Sequence, residues 1–330
     1  MNNRILYVDY MKAVAMILVI MGHVNFANEP VKAWIYSFHM PAFFFCTGLV
    51  LKMGGKISLK DTLQNKLHRL MLPYLLWALL YAKFTVPNFL KIVYGSYWSI
   101  ASSGSSSNLW FLPVMFVALV FFYLFVKTGL ATKKVAKILL MLISFAIACL
   151  LPHLKFGYPW GADVAFMAFA FILLGSISHE YIGRLYQYSK SHISLGLAIS
   201  FILFVLLFAG TLTYHLNNPS GGWVMMKNAH YGHWGFFALT AICGTMMLLF
   251  LSVFIELMNM GGYKWLSFVG QNTLVIFVVH KPIIAFFRAL FRYAQVSEVV
   301  MLFVTTVGTL LLSCLLCVLI IKFVPVLAGK

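Results

Sequence analysis

Ten apolar runs, each long enough or nearly so to cross a bilayer, follow one another along this chain and decide what it can fold into. They cover residues 10–27, 33–51, 70–86, 109–126, 138–152, 162–179, 194–212, 234–257, 266–282 and 299–321. A helical span needs about 20 apolar residues, whereas a barrel strand needs only about ten in alternation. The runs are continuous rather than alternating, so a barrel is excluded. Lipid offers the backbone no hydrogen-bond partner, and helices remain. The predicted fold class is all-α: a polytopic membrane protein with ten transmembrane helices bundled around a polar cavity. With 62% hydrophobic and 9% charged residues, the chain is far from a soluble domain, in which about a quarter of residues are charged.

A net charge of +17 raises the question of nucleic acid, but Lys and Arg stand in short clusters between apolar runs, not on one basic face. No nucleic-acid partner is expected. With the N terminus inside, sixteen of the 24 basic residues fall on the inner side. That asymmetry predicts a multi-pass protein of the inner (cytoplasmic) membrane with both termini in the cytoplasm. The first run has no small-residue cleavage site after it and reads as a retained span. The five cysteines (Cys46, Cys149, Cys243, Cys314, Cys317) all lie in apolar runs. Cys314 and Cys317 have CxxC spacing but no other ligand type nearby, so they read as small buried hydrophobes and no metal is expected. Two outer segments differ from the rest. PNFLKIVYGSYWSIASSGSSSN, before the fourth span, holds a Ser/Gly-rich segment predicted to be flexible. HLNNPSGGWVMMKNAHYGHWG, before the eighth, mixes aromatic, His and Asn side chains able to hold a sugar or an interfacial lipid.

Ionisable groups inside the first two spans carry the functional signal: Asp9, Lys12 and His23 in one, His39 in the other. Such groups cost several kcal/mol in lipid unless they face a bundle interior or a wet cavity. Lys12 and His23 are eleven residues apart, about three turns and roughly 16 Å along the axis, so they project from nearly one face. His23 suits a general base; the alternative is an imidazole that fixes packing between helices. His39 lies two residues before Pro41, which is expected to kink the helix beside it, and it too has catalytic and structural readings. Ser37 is two residues from His39 and points away from it, so no Ser-His-Asp arrangement is evident. The seven acidic residues all sit near span ends or in loops, which argues against a proton-coupled carrier. Arg69 closes a basic loop at the membrane surface, where a guanidinium grips phosphate. Trp110, Gln271, Asn272 and His280 are candidates to line the same cavity, with Trp110 equally explained as an interfacial anchor and His280 as a marker of its span's outer end.

The stretch from Lys12 to His23, a basic residue and then His after ten others, is followed by YSFHMPAFFFCTG. With HRLMLPYLLW, NLWFLPVMF and VGQNTLVIFVVHKPI in order further on, it resembles the integral-membrane acyltransferase-3 family, most closely its fucose 4-O-acetylase-like branch. Lys12 stands where that family often has Arg. The resemblance implies one acyltransferase domain over residues 1–330, and an O-acetyltransferase that moves an acyl group, acetyl above all, from acetyl-CoA to a hydroxyl of a cell-surface carbohydrate or its lipid-linked precursor. It implies His23 and His39 as catalytic residues, Lys12 and Arg69 on the phosphates of acyl-CoA, and Asp9, Trp110, Gln271, Asn272 and His280 at the substrate. Two other classes stay open on the residues alone: a carrier of a glycan intermediate, and a non-catalytic membrane subunit.

Overall fold

The computed structural model describes residues 4–24, 29–51, 58–219, 223–258, 264–291 and 297–330. Among them the regular structure is helical, apart from one isolated bridge between Met225 and His230. The helices are α1 (Leu6–His23), α2 (Glu29–Val50), α3 (Leu59–Lys66), α4 (Leu72–Tyr81), α5 (Val86–Tyr94), α6 (Tyr97–Ser102) and α7 (Phe111–Lys127). There follow α8 (Lys134–Leu150), α9 (Ala162–Ser191), α10 (Ile193–Leu216), α11 (Trp234–Leu257), α12 (Lys264–Gln271), α13 (Thr273–Leu290) and α14 (Glu298–Phe323). The all-α polytopic membrane architecture expected from the apolar runs is what the chain adopts. Eight segments of the described residues are long and apolar enough to cross a membrane. The other two expected spans take different forms. Residues 70–86 yield the ten-residue α4, joined through a π-helical turn to the polar α3, and residues 138–152 fall in the 17-residue α8. The first span ends at His23, with Val24 already extended; residues 25–27 of the expected run lie outside the described residues.

The chain divides into two compact units, each drawn from several segments. The first comprises Met1–Leu49, Ser178–Val224 and Tyr231–Leu316. Its central helix is α1, whose Met11, Ala13, Ala15, Met16, Val19 and Ile20 are fully buried. Helix α1 packs against α11, α12 and α13. Helix α10 lies beside α11, yet only 11% of its apolar window is buried, so Phe201, Ile202 and Leu206 form a lipid-facing surface. Close helix approach is set by missing side chains. A Cβ at Gly244 of α11 would enter the ring of Phe38 on α2, and one at Gly270 of α12 would overlap the Asp9 carbonyl of α1. Pro41 lies inside α2, which continues over 22 residues across it.

The second unit comprises Val50–Ile177, Met225–His230 and Cys317–Lys330. Pro73 has no N–H to give the carbonyl of Arg69, four residues back, and the helix widens there into a π turn over Leu67–Met71. The C-terminal turn closes on this region: Trp77 Nε1 donates to the Leu327 carbonyl at 2.9 Å. The outer segment before α7 carries α5, α6 and a 3-10 turn over Ser107–Trp110, and its Ser/Gly-rich stretch at residues 103–106 forms the turn between the last two. Its serines cap helices. Ser96 accepts from the Ser99 N–H at 3.1 Å, and Ser103 Oγ donates to the Ile100 carbonyl at 2.7 Å. Serine favours helix ends because its hydroxyl satisfies orphan backbone groups.

Candidate active site

Helix α1 carries polar chemistry at both ends of the first unit. At its start, the Asp9 carboxylate is buried and holds two cations, Arg4 Nε on Oδ2 and Lys12 Nζ on Oδ1, each at 2.8 Å. Gln271 Nε2 also donates to Asp9 Oδ2 at 3.4 Å and to Ser267 Oγ, one turn back on α12, at 2.7 Å. Gly270 makes this meeting possible by letting α12 rest on the Asp9 backbone. Lys12 thus pairs with Asp9, yet the cluster of two cations and one carboxylate keeps a net positive charge. Asn272 lies between α12 and α13, and its amide donates to the Phe268 carbonyl at 2.8 Å, holding that junction.

The other end of α1 carries the imidazoles. His23, the last residue of the helix, places Nδ1 2.8 Å from the Val19 carbonyl. A carbonyl only accepts, so Nδ1 donates its proton there, and in the neutral ring Nε2 carries the lone pair. His39 on α2 makes the same bond to Ile35 at 2.7 Å, and His280 on α13 to Phe277 at 2.7 Å. Three imidazoles are therefore oriented in the same way, each by a carbonyl of its own helix. The His23 and His280 rings meet edge to face with centroids 4.9 Å apart. His280 is fully buried, and its Nε2 has no hydrogen-bond partner among the described residues. Tyr36 lies between the histidines of the first two helices, its ring 5.9 Å from His23 and 5.2 Å from His39. Its hydroxyl donates to the Gly22 carbonyl at 2.8 Å, next to His23.

These contacts sort the expected residues. Because Gln271 meets Asp9 and His280 meets His23, α1 and α13 run side by side in one direction. Gln271 and His280, expected around one cavity, stand at opposite ends of this pair, with 14 residues of α1 from Asp9 to His23, about 21 Å of helix. Arg69 and Trp110 belong to the second unit. Arg69 is exposed on the π turn, where a Cβ at Gly329 would overlap its carbonyl. Beside it, burial and then the Arg69 charge push the Lys66 ammonium below the usual lysine pKa. Two adjacent cations of this kind suit an anionic partner. Trp110 is buried, with its ring 6.2 Å from Phe111. Arg4, Tyr36, Ser267 and Gly270 were not singled out from the sequence. Only Tyr36 carried a local signal, its i, i+3 spacing to His39 on one helix face.

The fold and this site define a polytopic helical membrane protein with a charge cluster and a set of oriented imidazoles along one central helix. The chain belongs to the acyltransferase-3 family, whose acyltransferase domain matches residues 5–321. It is therefore a membrane acyltransferase. A comparison with curated proteins found none that matches.

Proposed function

We propose that the protein moves an acetyl group from acetyl-CoA to a hydroxyl of a cell-surface carbohydrate or of its lipid-linked precursor. The observation that carries this reading is the commitment of His23 Nδ1 to the Val19 carbonyl, which in the neutral ring leaves Nε2 to act as the base. In the proposed reaction Nε2 takes the proton of the acceptor hydroxyl as its oxygen attacks the thioester carbonyl. The tetrahedral intermediate collapses, the C–S bond breaks, and the thiolate leaves with the proton returned by the imidazolium. That imidazolium forms in the last turn of α1, at the negative end of the helix dipole.

His39 is the second imidazole of this mechanism, and Tyr36 and His280 position the first. The net positive cluster at Asp9, with Lys12 in it, and the Lys66–Arg69 pair are the groups we assign to the donor's phosphates. Gln271 and Asn272 then act on the donor side through the α12–α13 junction, and Trp110 lines the acceptor path. Membrane lipids surround the lipid-facing helices. We place both termini in the cytoplasm of an inner-membrane protein, so that the donor arrives from inside and the acceptor is presented beyond the membrane. Mass spectrometry of surface glycans from cells with and without the protein tests this. Acetyl groups on carbohydrate that depend on the protein are expected, and glycans unchanged by its removal would overturn the reading.

A further inference from the structure

The second unit contains a cavity of about 370 Å³, lined from three segments: Ser96–Trp98, the turn from His153 to Asp163, and Met225–His230. Its lining belongs wholly to the second unit, whereas the imidazoles and the Asp9 cluster belong to the first. Its walls are held from outside. Ser96 Oγ donates to the Phe156 carbonyl at 2.5 Å, Tyr94 Oη to the Gly157 carbonyl at 2.9 Å, and Trp160 Nε1 to the Val93 carbonyl at 2.8 Å. The third segment closes on itself through Met225 N–H to the His230 carbonyl at 2.8 Å. Trp160 and Ala229, within two of these segments, are the non-glycine residues with positive φ among the described residues, each at 54°. Strained backbone of this kind persists where surrounding structure over-determines it, often at a binding site.

The lining has a chemical signature. Tyr97, Trp98 and Tyr158 offer flat faces with polar edges, which suit the C–H faces of a sugar ring. Lys155, Lys227, His153 and His230 stand against one carboxylate, Asp163, so the cavity favours an anion. Lys227 Nζ is 3.0 Å from the Tyr97 hydroxyl and 4.5 Å above its ring; an ammonium has further donors to give. Asn228 carries a buried side-chain oxygen with no hydrogen-bond partner among the described residues, which a ligand hydroxyl would satisfy. A volume of about 370 Å³ lies at the small end of ligand pockets, about 300–1,000 Å³, the scale of one or two sugar rings. We propose that this cavity binds a saccharide unit bearing a carboxylate or phosphate, held by Lys227 and Lys155 with an aromatic face against its ring. It is thus the recognition site for an anionic carbohydrate acceptor. The assignment rests on the carbohydrate-acceptor reading above and names the acceptor's class.

The test is calorimetric titration of the purified full-length protein in detergent with three probes: a glucuronate-bearing tetrasaccharide, a neutral glucose tetrasaccharide, and glycerophosphoglycerol as a soluble anionic-lipid headgroup. The glucuronate probe is expected to bind at least about tenfold more tightly than the other two. Lys227→Gln and Lys155→Gln should each weaken it by about ten- to a hundredfold, the size of a charge-assisted contact. Lys227→Arg should retain most of the affinity. Lys155 is exposed, so its loss reports binding even if Lys227→Gln folds poorly. No binding of the glucuronate probe, equal binding of the neutral one, indifference to both Gln substitutions, or preference for the lipid headgroup would each overturn the proposal. The two readings fail separately. Protein-dependent acetylation of glycans without Lys155- or Lys227-dependent binding sinks the cavity alone. Such binding without acetylation sinks the acceptor reaction alone.

Discussion

His23 and His280, carried by the first and thirteenth helices, meet edge to face with ring centroids 4.9 Å apart. Each ring gives its Nδ1 proton to a carbonyl of its own helix. Under the proposed mechanism the pair would hold the rotation of His23 while both Nδ1 bonds stay in place. His280→Phe keeps a ring of similar size but loses the carbonyl anchor. Misplacing a catalytic group by about 1 Å costs up to roughly a hundredfold, so kcat is expected to fall about tenfold or more, with KM for acetyl-CoA unchanged. The pH profile of kcat should also move, which a merely structural substitution would not cause. An unchanged profile with normal kcat removes His280 from the positioning of His23.

The Asp9 cluster allows two accounts of Lys12, phosphate binding or simple neutralisation of the carboxylate. Lys12→Gln is expected to weaken acyl-CoA binding by about ten- to a hundredfold, and Lys12→Arg to keep most of it. Neutralisation predicts that Asp9→Asn together with Lys12→Gln restores binding; phosphate contact predicts that binding stays weak. Titration of purified protein with acetyl-CoA separates them, and full recovery in the double variant contradicts the phosphate role.

Gly270→Ala tests the packing that delivers Gln271 to Asp9. Alanine should gain about 1 kcal/mol of helix propensity over glycine. Its Cβ, however, would run into the Asp9 backbone of the facing helix, which cannot give way as a side chain can. Overpacking against backbone costs about 1–3 kcal/mol or more, so the clash wins and the thermal midpoint should drop by several degrees. An unchanged or raised midpoint would show that α1 and α12 are not in contact there.

Topology is open to site-directed labelling in a background without cysteine. Cysteine at exposed Asn65 should react only with reagent that reaches the cytoplasm, and cysteine at exposed Asn217 with reagent supplied outside intact cells. Reversal of that pattern would invert the orientation and place the Lys66–Arg69 pair on the wrong side for acetyl-CoA.

Much of this was legible in the chain because lipid leaves few options. Long apolar runs can satisfy their backbone only as helices, and the helical repeat put Lys12 and His23 on one face. Two features escaped for local reasons. Residues 59–81 form a helix whose first turns are polar and whose middle is a π turn just before Pro73, so apolar length alone misjudges it. Helices α5 and α6, nine and six residues long, are too short to show as apolar runs, and the Ser96 hydroxyl that caps α6 reads in the sequence as one more loop serine. The meetings of His23 with His280, and of Asp9 with Gln271 over Gly270, join distant parts of the chain. No periodicity within a single helix reports such contacts.

The central claim is that His23 is the base of an acetyl transfer, and purified protein with labelled acetyl-CoA and isolated envelope glycans tests it most directly. His23→Ala should elute and unfold like the unsubstituted protein and still bind acetyl-CoA, while transfer falls by about a hundredfold to ten-thousandfold, the span typical of a lost general base. Near-normal transfer by well-folded His23→Ala protein would contradict the account.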